Sequence, residues 1–132
     1  MKTYRYKTCH KLILGDLHTP VSTYLKVRDF FSQSALMESS DYHGGENSRS
    51  FIGLHPIASI GINHGKAILR YPDNYTVEHT INDSYRCEDV INEFIRSFDV
   101  KGEFKDYCGL YGYTSFNAVR YFEHINVKDS RD

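Results

Sequence analysis

Four residues of this chain have the types and spacing to recognise a small charged molecule. Glu38 and Ser39 end one short apolar run, Ala35-Leu36-Met37-Glu38-Ser39, and Arg49 and Ser50 open the next, Ser50-Phe51-Ile52-Gly53-Leu54. A free amino acid needs acceptors for its ammonium, a cation or backbone donors for its carboxylate, and an apolar slot for its side chain. An acid, two hydroxyls and a guanidinium beside apolar residues supply that set. The same four residues also fit a plain surface Glu-Arg pair with loop serines, which adds little to stability. The residues alone leave both readings open.

Catalytic chemistry has a weaker signature. His10, His18, His43, His55, His64, His79 and His124 are scattered, with no His-Glu-x-x-His run and no pair at metal-ligand spacing. Ser22, Ser39 and Ser115 sit in no nucleophile-elbow pattern, and Cys108 has no partner base in the sequence. Gly109 and Gly112 form a Gly-x-x-Gly without the Lys-Ser/Thr of a phosphate cradle, so packing is the preferred reading there. Catalytic and metal-binding residues are therefore expected to be absent.

The elements that must hold the polar quartet follow from periodicity. Runs of about five β-forming residues bounded by Gly, Ser, Asn and Asp read as strands, and the Gly44-Gly45 pair can reverse the chain, giving a hairpin over Ala35 to Leu54. Alternation puts Ser39 on a face with Met37 and Ala35 and Glu38 on the other with Leu36, so beside Ser39 it is the Glu38 carbonyl that is available. Tyr4 to Leu14 alternates as a first strand. Thr19-Pro20 opens a helix from Pro20 to Phe31, with Val21, Tyr24, Leu25 and Arg28 at helical spacing and Val27 and Phe31 widening the stripe. Ala58 to Asn63 and Ala67 to Tyr71 flank the tight turn His64-Gly65, and Tyr75 to Ile81 completes a meander. Asp83 or Ser84 caps a second helix striped by Val90, Ile91, Phe94, Ile95 and Phe98 and ended by Lys101-Gly102-Glu103. Cys108 to Tyr113 reads as a strand, Phe116 to Glu123 as a short helix, and Val127 to Asp132 as a polar tail. The expected class is α+β, antiparallel β-sheets with flanking helices.

At 132 residues the chain suits one domain, residues 1–132, and 40% hydrophobic with 14% aromatic residues is enough for a core. A formal charge of −1 with dispersed Lys and Arg gives no electrostatic draw to nucleic acid or to an acidic membrane. Cys9, Cys87 and Cys108 are odd in number, widely spaced and without a Cys-x-x-Cys pair, which reads as reduced packing residues in a cytoplasmic protein. No apolar stretch approaches the ~18 residues that span a bilayer, and the N-terminus has no apolar signal region.

Three segments in order resemble one family. Asp16-Leu17-His18-Thr19-Pro20-Val21-Ser22-Thr23-Tyr24-Leu25-Lys26 is similar to a "D-x-x-TPV-x-x-YLKL" segment, Leu36-Met37-Glu38-Ser39 with Arg49-Ser50-Phe51-Ile52-Gly53 to an "LLES … RYSFIG" pair, and Cys108-Gly109-Leu110-Tyr111-Gly112-Tyr113 through Val119-Arg120-Tyr121-Phe122-Glu123 to "GGLVGY … VRYFE". The family is anthranilate synthase component I, and the resemblance covers almost the whole chain. Met37 replaces the usual Leu, Ser48-Arg49-Ser50 lacks the aromatic of Arg-Tyr-Ser, and Cys108 stands where Gly is usual.

The resemblance implies the N-terminal part of the chorismate-utilising enzyme fold, as a regulatory portion of a longer chain. The family's C-terminal portion binds chorismate, carries the catalytic residues and the Mg2+ site, and with glutamine-derived or free ammonia makes anthranilate and pyruvate in tryptophan biosynthesis. A glutamine amidotransferase subunit, component II, is the implied partner, and L-tryptophan the implied inhibitor. By that likeness Leu36, Glu38 and Ser39 form one wall of the tryptophan site, with Arg49 and Ser50 facing it. No cofactor is expected in this portion, which alone is expected to be inactive. Two other readings stay open: the matching portion of aminodeoxychorismate synthase component I, and a free-standing small-ligand binding module without a catalytic role.

Overall fold

The computed structural model describes residues 1–39 and 48–127. In chain order the elements are β1 (Tyr4–Lys7), α1 (Pro20–Val27) continued by a 3-10 turn (Arg28–Phe30), β2 (Ser34–Glu38), β3 (Ser50–Leu54), β4 (Ser59–Asn63), β5 (Lys66–Arg70), β6 (Thr76–Thr80), α2 (Cys87–Arg96), β7 (Phe98–Lys101) and 3-10 segments at Lys105–Tyr107 and Phe116–Tyr121. The class is mixed, with small and mostly antiparallel sheets and few helices. Two compact units result, one of Met1–His10 with Ile57–Asp132 and one of Lys11–Pro56. No helix among the described residues is long and apolar enough to cross a membrane. The Gly44-Gly45 reversal and the tail beyond Val127 lie outside the described residues.

The first unit is built on the meander β4-β5-β6. His64 and Gly65, at φ 48° and 73°, form the two-residue turn between β4 and β5, as a tight hairpin requires. Register aligns Ile60 with Leu69 and Val77, and Ile62 with Ala67 and His79, so one face of the sheet is apolar. α2 closes that face with Val90 and Phe94, which with Leu69 and Ala67 are at most 1% exposed. Its start is fixed by Asp89, whose carboxylate accepts the Arg86 N–H at 2.9 Å, satisfying one of the amides that a helix leaves open.

The N-terminal strand closes this core. β1 runs parallel to β7, Tyr4 opposite Phe98. The Tyr4 ring stacks on Tyr71 at 5.4 Å and Phe98 at 5.7 Å, and its hydroxyl donates to Asp73 at 3.0 Å. Asp73 also accepts from Lys2 and from the Tyr75 N–H, and with Lys2 foremost these hold its carboxyl down at about 2. Burial and then the same carboxylate push the Tyr4 phenol up to about 12.

In the second unit, α1 begins with a reciprocal cap: the Thr19 hydroxyl accepts the Ser22 N–H and the Ser22 hydroxyl accepts the Thr19 N–H, each at 3.0 Å, with Pro20 at the first helical position. β2 and β3 pair antiparallel.

Several elements differ from the sequence expectation. The first strand ends at Lys7 because its partner β7 ends at Lys101, and Leu12, Ile13 and Leu14 are 77 to 82% exposed. The first helix tightens into a 3-10 turn after Val27. The second helix starts at Cys87, not after Asp83 or Ser84, because the Asn82 side chain accepts the Ser84 and Tyr85 N–H groups at 2.9 Å and forms a turn first. It also ends at Arg96: Phe98 belongs to β7, where pairing with β1 replaces another helical turn. Cys108 to Tyr113 is no strand, since no other segment pairs with it among the described residues, and Phe116 to Glu123 is a 3-10 segment. Cys87 is buried, which pushes its thiol up, whereas Cys9 and Cys108 are exposed, so packing is the role of Cys87 alone.

Candidate functional site

The hairpin that carries the polar quartet has a fixed register. Ser34 pairs with Leu54, Ala35 with Gly53, Leu36 with Ile52, Met37 with Phe51 and Glu38 with Ser50. The Ser39 N–H donates to the Arg49 carbonyl at 3.3 Å, which extends the ladder one residue past β2, and the His55 N–H to the Gln33 carbonyl at 3.2 Å closes the other end. Antiparallel pairs alternate between hydrogen-bonded and non-hydrogen-bonded, and these two bonds identify Ser39 with Arg49 as one of the former. Glu38 with Ser50 and Leu36 with Ile52 are then of the closer, non-hydrogen-bonded type.

All four polar residues are thus at one end of one ladder, two by two across the strands, on different faces. Side chains of directly paired residues share a face and successive residues alternate. Ser39 and Arg49 therefore share a face with Met37, Phe51, Ala35 and Gly53. Leu36, Glu38 and Ser50 lie on the opposite face with Ile52 and Ser34. The Tyr24 hydroxyl lies 3.5 Å from both the carbonyl and the hydroxyl of Ser34, so α1 meets the hairpin on the Leu36 face. Among the described residues, a Cβ added at Gly53 would meet nothing within 4 Å, and Ala35, Met37, Phe51 and Gly53 on the Ser39 face are half-buried. Phe51 and Gly53 were not among the residues nominated by the sequence. The signal that finds them is parity, since 49, 51 and 53 alternate onto one face.

Glu38, Ser39, Arg49 and Ser50 are exposed. A hollow of about 210 Å³ elsewhere in this unit is lined by Phe30, Phe31, Ser32, Gln33, His55 and Pro56, and one of about 360 Å³ in the first unit by Met1, Asp89, Asn92, Glu93 and Arg96. Neither includes the hairpin mouth. No group of three or more His, Cys, Asp or Glu side chains among the described residues is placed to hold a metal ion.

Compared with known proteins, the chain matches no family model, no curated protein and no solved structure. The Ser39 face carries a hydroxyl and a guanidinium beside a thioether and a phenyl ring, with the small pair Ala35 and Gly53 next along the strands. That combination suits a flat apolar molecule with a zwitterionic head.

Proposed function

We propose that this chain is the tryptophan-sensing N-terminal portion of an anthranilate synthase component I, within the chorismate-utilising fold. The observation that carries the reading is the hairpin register. Two motif halves separated in sequence meet at one end of one ladder, Glu38 opposite Ser50 and Ser39 beside Arg49.

In this reading the tryptophan carboxylate pairs with Arg49, and its ammonium donates to the Ser39 hydroxyl and the Glu38 carbonyl. The indole lies against Met37 and Phe51, over Ala35 and Gly53. Leu36 and Ser50, on the other face, support the wall from behind. Binding inhibits because tryptophan favours a state of the whole enzyme with low activity, and its effect is bounded by its difference in affinity for the two states. Conversion of chorismate and ammonia to anthranilate and pyruvate, the Mg2+ site and the contact with the amidotransferase component belong to the complete assembly. Exposed Leu12, Ile13, Leu14 and Leu17 in one unit, and Tyr113 and Phe116 in the other, provide apolar surface of the kind a catalytic portion would cover.

The experiment is a titration of the complete enzyme, this segment joined to its catalytic portion, with tryptophan while anthranilate fluorescence is followed. Inhibition that Ser39→Ala weakens is the expected result. Superimposable curves for wild type and Ser39→Ala would return the hairpin to a structural role.

A further inference from the structure

β4 is an edge strand of the three-stranded sheet β4-β5-β6. The two-residue turn makes Asn63 with Lys66 a hydrogen-bonded pair, so Gly61 with Ile68 and Ser59 with Arg70 are hydrogen-bonded too. The backbone groups of Ser59, Gly61 and Asn63 are therefore spent on β5. Those of Ile60 and Ile62 point the other way, and among the described residues nothing bonds to them.

Natural edges are commonly blunted by charge, proline or a bulge. Ser59-Ile60-Gly61-Ile62-Asn63 has none of these, whereas the opposite edge, β6, carries Glu78 and His79. The side chains of Ile60 and Ile62 already pack on the core cluster. A second strand laid along this edge would extend an existing apolar face.

We propose that β4 pairs antiparallel with β4 of a second copy of this chain, about a two-fold axis through Gly61. The strand is self-complementary in that one register. Ile60 exchanges both backbone hydrogen bonds with Ile62 of the partner subunit, and Ile62 with the partner's Ile60, which uses every outward-facing group of the two edges. Gly61 meets its own copy at the axis as a close, non-hydrogen-bonded pair. Ser59 falls opposite the partner's Asn63, so no charge lies directly across the joint. The result is one six-stranded sheet with both copies of α2 on the same face. They lie over the β5 strands, three strand spacings apart or about 14 Å, against a helix diameter of about 10–12 Å. One strand per partner buries little area by the standard of stable interfaces, so the association is weak and is read at high concentration.

Gly61 is the test position. A Cβ there meets nothing within 4 Å and its backbone has no positive φ, so the monomer accepts a side chain. Sedimentation over a concentration series should find reversible dimers of the wild-type chain. Gly61→Lys and Gly61→Glu, each placing like charges opposite one another at the axis, should each weaken dimerisation by up to about fivefold. An equimolar mixture of the two variants should regain it. In the wild type, amide exchange at Ile60 and Ile62 should slow with rising concentration, a readout that depends on no variant. A wild-type monomer at all concentrations overturns the proposal. So does dimerisation that ignores both charges, which would assign association to exposed apolar side chains or to another uncharged edge such as β3.

Discussion

The hydroxyl of Ser39 is the smallest group on which the tryptophan reading turns. A hydrogen bond to a charged group contributes about 1.5 to 3 kcal/mol, so Ser39→Ala in the complete enzyme should raise the inhibitory tryptophan concentration roughly tenfold or more. Activity without tryptophan should stay unchanged, because Ser39 is outside the catalytic portion in this reading. Asp73 is the other residue with a sharp expectation. Its carboxyl is held down at about 2, chiefly by Lys2 and further by Tyr75 and Tyr4. A depressed folded value means stabilisation that is present above the ordinary range near 3.8 and is lost as pH falls through about 2. Melting temperatures followed between pH 2 and 5 should fall more steeply for wild type than for Asp73→Asn. Equal slopes would detach Asp73 from the acid limb. Ser39 and Arg49 were legible as a pair because polar residues ended two apolar runs of matched length. Asp73 was legible only as a turn residue, since its partners Lys2 and Tyr4 are distant in sequence and meet it through tertiary packing.

Among the elements, the meander is the best determined by local sequence. Gly65 sits at φ 73°, and Gly65→Ala should cost about 1–2 kcal/mol through left-handed strain alone. Leu69→Ala removes a fully buried side chain beneath α2 and should cost about 2–5 kcal/mol. Domains are stable by only about 5–15 kcal/mol, so the first change should shift a urea midpoint while the second threatens the unit. Urea unfolding followed by far-UV circular dichroism separates them, and a Gly65→Ala cost equal to that of Leu69→Ala would contradict this ranking. Strands β4 to β6 were legible because period-two alternation, a His-Gly turn and a Pro-Asp-Asn turn agree. The end of α2 was not, because Phe98 continues the spacing of Phe94 and only pairing with β1 assigns it to a strand. Cys108 to Tyr113 failed for the converse reason: its composition fits a strand, but a strand also needs a partner.

For the whole molecule, the chain carries a candidate sensing hairpin in one unit and a small aromatic core in the other. Incubated alone with chorismate, magnesium and ammonia it should give no anthranilate fluorescence above a blank. Turnover would mean that the residues assigned here are not the whole of its chemistry. The resemblance to anthranilate synthase component I rests on three motif segments, and whether a hairpin mouth is enclosed depends on surfaces that no local pattern encodes.

The parallel pairing of β1 with β7 has a consequence for how the protein is made. Phe98 leaves the ribosome roughly 94 residues after its partner Tyr4, so at about 5–20 residues per second β1 waits on the order of 5–20 s for it. During that interval the meander and its helix can form, but the groove that receives the Tyr4 ring is incomplete without Phe98. Arg5, which in the finished fold lies 3.8 Å from Asp99, and Lys7 put two exposed charges on the waiting strand, and charge on an open strand disfavours pairing with a neighbouring nascent chain.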